Sequence, residues 1–325
     1  MKSRSAAVVI AACLLVGAVS QARADEYPSR TVTVVVAFPP GGSADVIGRV
    51  VAQALSKQMK QAFIVENRSG FGGNVGVRYA SKAPKDGYTL LLCSCTAASI
   101  SVSLSPEQTN YNLETDFAMV SMLGKAPLAL VVNNDVPAKN LQEYIALAKQ
   151  KPGSITFSSA GVGTTQHLGG ELFRLMTGTK LVHVPYKGSG PSMTDLLGGQ
   201  VQSTFETGPA IAPFLKNPAL RVLAYANETR TPTMPDVPTA TEAGLPGFNV
   251  AATYGLMAPV GTPKEIVDKL NAQVKTALEQ PEVKTAFAQQ GLEATYTTSP
   301  QMATQIHAEI AKWAKVVKDA NVKPE

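Results

Sequence analysis

Two glycine-rich turns, more than a hundred residues apart, each join a strand pattern to a helix pattern. The first is Phe38-Pro39-Pro40-Gly41-Gly42-Ser43-Ala44-Asp45, after the valine-rich run 31–37. The second is Ser159-Ala160-Gly161-Val162-Gly163-Thr164-Thr165-Gln166-His167, after Ile155-Thr156-Phe157-Ser158. A chain that turns twice in this way is committed to βαβ units, and therefore to parallel strands with right-handed crossovers. Free N–H groups at a helix N-terminus, together with the helix dipole, favour an anion. Two such turns on two lobes predict a clamp around a small, negatively charged molecule.

The remaining pattern extends this frame. After the first turn, Ile47, Val50, Val51, Ala54 and Leu55 fall at i, i+3, i+4, i+7 and i+8, one apolar helical stripe. A short strand at 63–66, a loop at 67–73, a helix at 74–82 and a strand at 88–93 complete a β-α-β-α-β order. The middle of the chain alternates again. Strands are expected at 128–132, 155–158, 181–184, 201–205 and 221–226, with helices at 141–149, about 165–176 and 191–197. Asn140 followed by Glu143 is a capping-box spacing. The stretch 231–247 is dense in Pro, Thr and Gly and reads as a loop. A short strand at 254–257 precedes helices opened by Pro263, Pro281 and Pro300.

At 325 residues the chain has room for two domains, each with its own core. Lys2 and Arg4, the apolar stretch 6–19 and Ala22-Arg23-Ala24 read as a signal peptide over 1–24, cleaved between Ala24 and Asp25. A lipoprotein box at Ile10-Ala11-Ala12-Cys13 is the alternative, but it would leave almost no apolar region. The expected location is therefore the periplasm. No later run of about 20 apolar residues reads as a membrane span. The signal carries three basic residues and no acid, so its removal lowers the formal charge from +5 to +2 (5 − 3). No Lys/Arg run or basic stripe with interleaved aromatics remains, which argues against nucleic acid binding. Cys93 and Cys95 form Cys-Ser-Cys, too few ligands for structural zinc and a strained spacing for a bridge. Two buried thiols is one reading of the pair; a labile disulfide in an oxidising compartment is the other.

The residues also carry a family likeness. Tyr27-Pro28-Ser29-Arg30, the first glycine turn, Val65-Glu66-Asn67-Arg68-Ser69-Gly70 and Gly72-Gly73-Asn74-Val75-Gly76 occur in that order. Asp86-Gly87-Tyr88-Thr89-Leu90-Leu91, the second glycine turn leading to His167-Leu168, and His183-Val184-Pro185-Tyr186-Lys187-Gly188 follow. Asp236-Val237-Pro238-Thr239, Gly244-Leu245-Pro246-Gly247 and Ala258-Pro259-Val260-Gly261-Thr262-Pro263 complete the series. With this set the chain resembles the Bug/TctC receptors, the solute-binding proteins of tripartite tricarboxylate transporters. The resemblance implies an α/β, type II-like periplasmic binding fold of two lobes, each a mainly parallel sheet flanked by helices. Lobe I would combine 25–125 with 250–325, and lobe II would be 126–249. Two chain crossovers, near Lys125 and near Asn249, would form the hinge. It implies capture of an organic acid through backbone amides and bridging waters, and delivery to membrane permease subunits. The chain departs from the family pattern at Cys93-Ser94-Cys95-Thr96, after the third strand, and at Glu206-Thr207-Gly208.

Candidate ligand residues follow from the turns and the strand ends. The first turn offers Phe38, the N–H groups of Gly42, Ser43 and Ala44, and the Ser43 hydroxyl; Asp45 is expected to cap its helix or orient water. The second offers Ala160, the amides of Gly161, Gly163 and Thr164, and the hydroxyls of Thr164 and Thr165. Ser94 and Thr96 are expected on the wall of one lobe, and Phe205, Glu206 and Thr207 on the other. Phe38 and Phe205 can flank a ring. Glu206 facing the pocket would favour an ammonium group, and Lys187 would suit a second carboxylate. Catalysis by Cys93 or Cys95 with a histidine is the enzymatic alternative, and a receptor that signals to a membrane sensor is another. G-x-S-x-G, H-E-x-x-H and Cys/His metal spacings do not occur, and Gln166 stands where G-x-G-x-x-G needs its third glycine. Nothing requires a metal or organic cofactor, and a monomer is the default.

Overall fold

The computed structural model describes residues 27–231 and 234–324. The expected signal peptide, its cleavage site and the alternative lipoprotein box lie outside the described residues. Ten strands form one curled mixed sheet in the order β2-β1-β3-β9-β4-β7-β5-β6, with β8 and β10 also paired to β4. The first half comprises β1 (Val32–Val36), β2 (Phe63–Asn67), β3 (Thr89–Ser94), β9 (Ala251–Pro259) and the two-residue β10 (Glu293–Ala294). The second comprises β5 (Thr156–Ser159), β6 (Val182–Pro185), β7 (Ser203–Thr207) and β8 (Leu220–Tyr225). The 17-residue β4 (Phe117–Asn133) belongs to both. Its Phe117–Pro127 stretch pairs antiparallel with β9, and Leu128–Asn133 pairs antiparallel with β7 and β8. The βαβ units expected from sequence are present: β1 runs parallel to β2 and β3, and β5 runs parallel to β6 and β7. The antiparallel members β4 and β9 join the two halves, and for that reason each half is mixed.

Helices cover the faces of both halves. On the first lie α1 (Ser43–Met59), α2 (Asn74–Ser81), α3 (Cys95–Leu104), α7 (Lys264–Glu279) and α8 (Pro281–Gln289). On the second lie α4 (Leu141–Gln150), α5 (Thr165–Thr177) and α6 (Ser189–Leu197). The α1 stripe buries Ile47, Val51, Ala54 and Leu55 against Val32, Val34 and Val36 of β1. Each fully buried aliphatic side chain contributes about 1.5–3 kcal/mol, so this stripe holds the helix to the sheet. At Asn140 the cap forms: its side chain accepts the Glu143 N–H at 2.9 Å, while the Glu143 carboxylate accepts the N–H of Lys139, one residue before the cap, at 2.7 Å, so the reciprocal bond of a capping box is replaced by one to its neighbour. The last helix, α9 (Ser299–Asp319), spans both halves. Met302 and Ile306 pack into a core of the first half, and Trp313 and Val316 into the core of the second.

Cys93 and Cys95 are free thiols, both fully buried, with the Cys95 Sγ directed to the Cys93 carbonyl at 3.5 Å. Burial pushes the Cys95 thiol well above its ordinary pKa. The pair is therefore the buried reading of Cys-Ser-Cys rather than the disulfide one.

Candidate ligand-binding site

Four helices begin where strands β1, β3, β5 and β6 end, and their first turns line a single cavity of about 110 Å³. From α1 come Gly42, Ser43 and Ala44; from α3, Ser94 and Ala97. From α5 come Thr164, Thr165 and Gln166; from α6, Gly188, Ser189 and Gly190. First-turn N–H groups have no acceptor within their own helix, and each dipole places about half a positive charge at that end. Lys187 is the sole charged side chain among the described residues lining the cavity. Four converging positive ends and no lining carboxylate make this a place for an anion.

The first turn holds its shape through Asp45. Gly41 adopts φ +88°, where a side chain is strained, and its N–H donates to Asp45 Oδ2 at 3.1 Å. The same carboxylate accepts from Arg49 Nε at 2.9 Å and Asn67 Nδ2 at 2.9 Å. Burial alone would raise the Asp45 pKa, but these donors outweigh it and hold the carboxyl below the usual range. Asp45 is thereby neutralised and faces its own loop, while Gly42, Ser43 and Ala44 face the cavity together with Phe38.

The second turn differs from expectation. The Gly161 N–H donates to Ser159 Oγ at 3.1 Å, the Gly163 N–H to His167 Nδ1 at 3.2 Å, and the Thr164 N–H to the Gly161 carbonyl at 3.3 Å. The Thr164 hydroxyl donates to the Gly161 carbonyl at 2.7 Å and caps α5 by accepting the His167 N–H. These donors build the loop, so they are not offered to a ligand. Ala160, Thr164, Thr165 and Gln166 line the cavity, whereas Gly161 and Gly163 line a wider outer chamber of about 640 Å³ toward Phe71 and Val162. Behind the loop, His167 and His183 stack with ring centroids 3.9 Å apart. His183 Nε2 lies 2.7 Å from Ser159 Oγ. Burial, then neighbouring His183 and Arg174, lowers the His167 pKa to about 3; burial and Arg174 lower that of His183 to about 4.

The strand-end candidates divide. Ser94 lines the cavity. The Thr96 hydroxyl instead contacts Thr253 Oγ1 at 2.8 Å and Glu309 Oε2 at 3.1 Å, because α3 turns it beneath β9. Phe205 is not a cavity residue either: it belongs to an aromatic cluster with Phe157, Phe173 and Phe248 in the core of the second half. Glu206 and Thr207 lie directly behind the wall. Glu206 is fully buried, and its Oε1 accepts from Gln166 Nε2 at 2.9 Å. Thr207 Oγ1 meets Ser43 Oγ at 2.7 Å, a contact that joins the two halves of the molecule. Burial raises the Glu206 pKa, against the hydrogen bonds from Thr207, Gln166 and Ser189.

Sequence reasoning missed the α6 turn, Gln166, Ala97 and Tyr254. The signal for α6 was available: Lys187-Gly188-Ser189-Gly190-Pro191 follows a strand and opens a helix, the same syntax as the other two turns. Tyr254, whose phenol burial pushes its pKa up, reaches the cavity from the antiparallel β9 and has no such local signature.

A family model described as "Tripartite tricarboxylate transporter family receptor" (TctC) matches residues 47–322. The chain belongs to that family. BugT of Bordetella pertussis is 40% identical to this receptor over 308 residues, 94% of either chain. Among solved structures, an R. palustris protein with adipate superposes with TM-score 0.87 at 36% identity, covering 92% of this chain and all of that one. MatC from Rhodopseudomonas palustris with bound malate gives TM-score 0.83 at 33% identity, covering 90% of this chain and all of that one. The periplasmic binding protein BugD gives 0.85 at 30% identity, covering 92% and 100%. These relatives are substrate-binding receptors and not enzymes, which sets aside the Cys/His alternative. Among the described residues, no helix of this receptor is long and apolar enough to cross a membrane.

Proposed function

We propose that this receptor captures a small organic acid in the cavity between two lobes and delivers it to the permease subunits of a tripartite tricarboxylate transporter. The observation that carries the reading is the convergence of four helix N-termini on one cavity with Lys187 as the sole charged residue among the described residues lining it. A buried carboxylate needs several donors to replace its hydration, and first-turn amides supply them without a counter-charge. We assign the ligand contacts to Phe38, Gly42, Ser43, Ala44, Ser94, Ala160, Thr165 and Gln166. The adipate and malate carried by two structural neighbours belong to those proteins, and they support an acid as the ligand here.

In this reading the lobes are the two halves of the sheet, and they hinge where the chain passes between them. Support comes from the change of partners along β4 after Pro127, and from Val250, which donates to the Ala226 carbonyl while its own carbonyl accepts from Leu128. Because α9 packs into both cores, its C-terminal half moves with lobe II. Closure around the acid is the signal read by the membrane partner. The mature protein starts at Asp25, acts in the periplasm and is a monomer. Thermal unfolding of the mature protein against mono-, di- and tricarboxylates, aromatic acids and amino acids tests the reading, since a ligand selective for the folded state raises Tm by mass action. A rise confined to one class of acid is expected. No rise with any acid removes the carboxylate assignment.

A further inference from the structure

The protons around Glu206 can be followed one by one. Glu206 Oε1 accepts from the Thr207 N–H at 2.8 Å, from Thr207 Oγ1 at 3.0 Å and from Gln166 Nε2 at 2.9 Å. A threonine hydroxyl has one proton. Thr207 gives its proton to Glu206, so the 2.7 Å contact between Thr207 Oγ1 and Ser43 Oγ is donated by Ser43. The Ser43 hydroxyl then has only lone pairs left for a ligand. Gln166 turns its NH2 group inward, to Glu206 and to Ser189 Oγ at 3.5 Å. Gln166 Oε1 receives no protein donor among the described residues, and Gln166 lines the cavity. Finally, Glu206 Oε2 is fully buried and has no partner, so the carboxylate has more acceptor capacity than the wall has donors.

One buried carboxylate thus draws the side-chain protons of Gln166, Thr207 and, through Thr207, Ser43 away from the cavity. Beside the main-chain N–H donors, the Lys187 ammonium and the hydroxyls of Ser94, Thr165 and Tyr254, the wall then carries side-chain acceptors at Gln166 and Ser43. A carboxylate satisfies the first, and a donor on the ligand satisfies the second. We infer that Glu206 is a specificity-determining positioning residue, which makes the cleft select an acid bearing a hydroxyl or ammonium group beside its carboxylate over the unsubstituted acid of the same length. The inference rests on the carboxylate reading above. It goes further in naming the substituent, on which the adipate-bound and malate-bound neighbours differ from one another.

The test is calorimetric titration of the full mature receptor with two matched series: succinate, malate and aspartate, and propionate, lactate and alanine. One additional hydrogen bond from ligand to protein predicts binding about two- to tenfold tighter for the hydroxyl-bearing members and about tenfold or more for the ammonium-bearing ones. Malate and lactate against aspartate and alanine separate hydroxyl from ammonium. Glu206→Met releases the inward protons and is expected to bring the ratio to within about twofold, while the unsubstituted acid still binds. Glu206→Gln keeps an acceptor at the Oε1 position and is expected to keep the preference. If Glu206→Met does not fold, Gln166→Met removes the acceptor at the cavity wall and is expected to erase the ratio by itself. A generalised loss of structure would lower all six affinities together and leave the ratio unchanged. A wild-type ratio near one, or a ratio that survives in both methionine variants, overturns the inference. Failure of every acid to bind the wild type overturns the carboxylate reading and the inference with it.

Discussion

Gly42→Asp separates binding from folding at this site. Gly42 precedes α1 with φ −86° and ψ 173°, extended backbone open to any residue, and a Cβ built there meets no atom within 4 Å. Aspartate is moreover a favoured N-cap residue, so the variant is expected to fold with an unchanged or slightly raised Tm. The new carboxylate would stand over the first-turn N–H groups that we assign to the ligand. Two like charges about 5 Å apart repel by roughly 3 kcal/mol at an effective dielectric constant of about 20, a loss of about 150-fold or more in affinity. The new side chain also competes for the same amides. Gly42→Asn is the control: it caps the helix equally well and carries no charge, so the difference between the two variants isolates the electrostatic part. Isothermal titration with the acid that gives the largest thermal shift measures all three proteins. Equal affinity in wild type and Gly42→Asp, with the fold intact, would refute the placement of the ligand against α1. Gly163→Asp is a poorer probe. Gly163 holds φ +77° and its N–H is bound to His167, so that change disturbs the loop before it touches a ligand.

Three further outcomes follow from the same geometry. Both stacked histidines are neutral in the folded state, with pKa values of about 3 and 4 against 6.5 in the unfolded chain. The unfolded chain therefore takes up protons first, and stability that is complete above about pH 6.5 is lost as pH falls toward 4. The loss is about 2 kcal/mol per histidine between pH 7 and 5. Urea unfolding at the two pH values measures it, and a His167→Gln/His183→Gln double variant is expected to flatten the slope. Lys187 is exposed and has no ion pair among the described residues, so Lys187→Ala should weaken a dicarboxylate by two- to fivefold, about 0.5–1 kcal/mol, and a monocarboxylate less; titrations at low and high salt would show the difference shrink with ionic strength. Trp313 is fully buried and donates to Glu309 Oε2 at 2.8 Å, so Trp313→Ala should cost about 3–5 kcal/mol in a denaturant titration.

The parts of this molecule that were legible in its sequence are those in which a few neighbouring residues determine the backbone. Glycines at a strand end, a capping residue and an apolar stripe on one helix face state their own structure; they placed the buried face of α1 and located α4 and α5 to within a residue. The first half of β4 could not be read in this way. Register shifts between Met119 and Ser121, and between Met122 and Gly124, break the alternation by which a strand is recognised. Its antiparallel partner β9 begins 124 residues after Pro127 (251 − 127), beyond the whole second half of the molecule, so no local turn announces the pairing. α3 was hidden for another reason: Cys95 to Leu104 is buried on nearly every side, so it has no polar face to set its period.

The division at the site has the same physical origin. A glycine turn announces that amides are present, but whether they are free depends on what stands behind them. In the first turn Asp45 binds the one amide at Gly41 and leaves the next three to the cavity. In the second, Ser159 and His167 take the amides of Gly161 and Gly163. The two turns look alike in sequence, and the acceptor behind each one gives them different work. One leaves its N–H groups facing the cavity. The other converts them into a stiff wall whose cavity-facing atoms belong to Thr165 and Gln166. The same logic puts Glu206 behind the wall, bonded to Gln166, and in our proposal makes it the residue that orients ligand contacts. A carboxylate on the cavity surface would repel the acid that the helix dipoles attract, whereas one layer behind, its hydrogen bonds set which atoms the wall presents. In that proposal the selectivity of the cleft is set by Glu206, which the ligand does not touch, and is read out through Gln166 and Ser43, which it does.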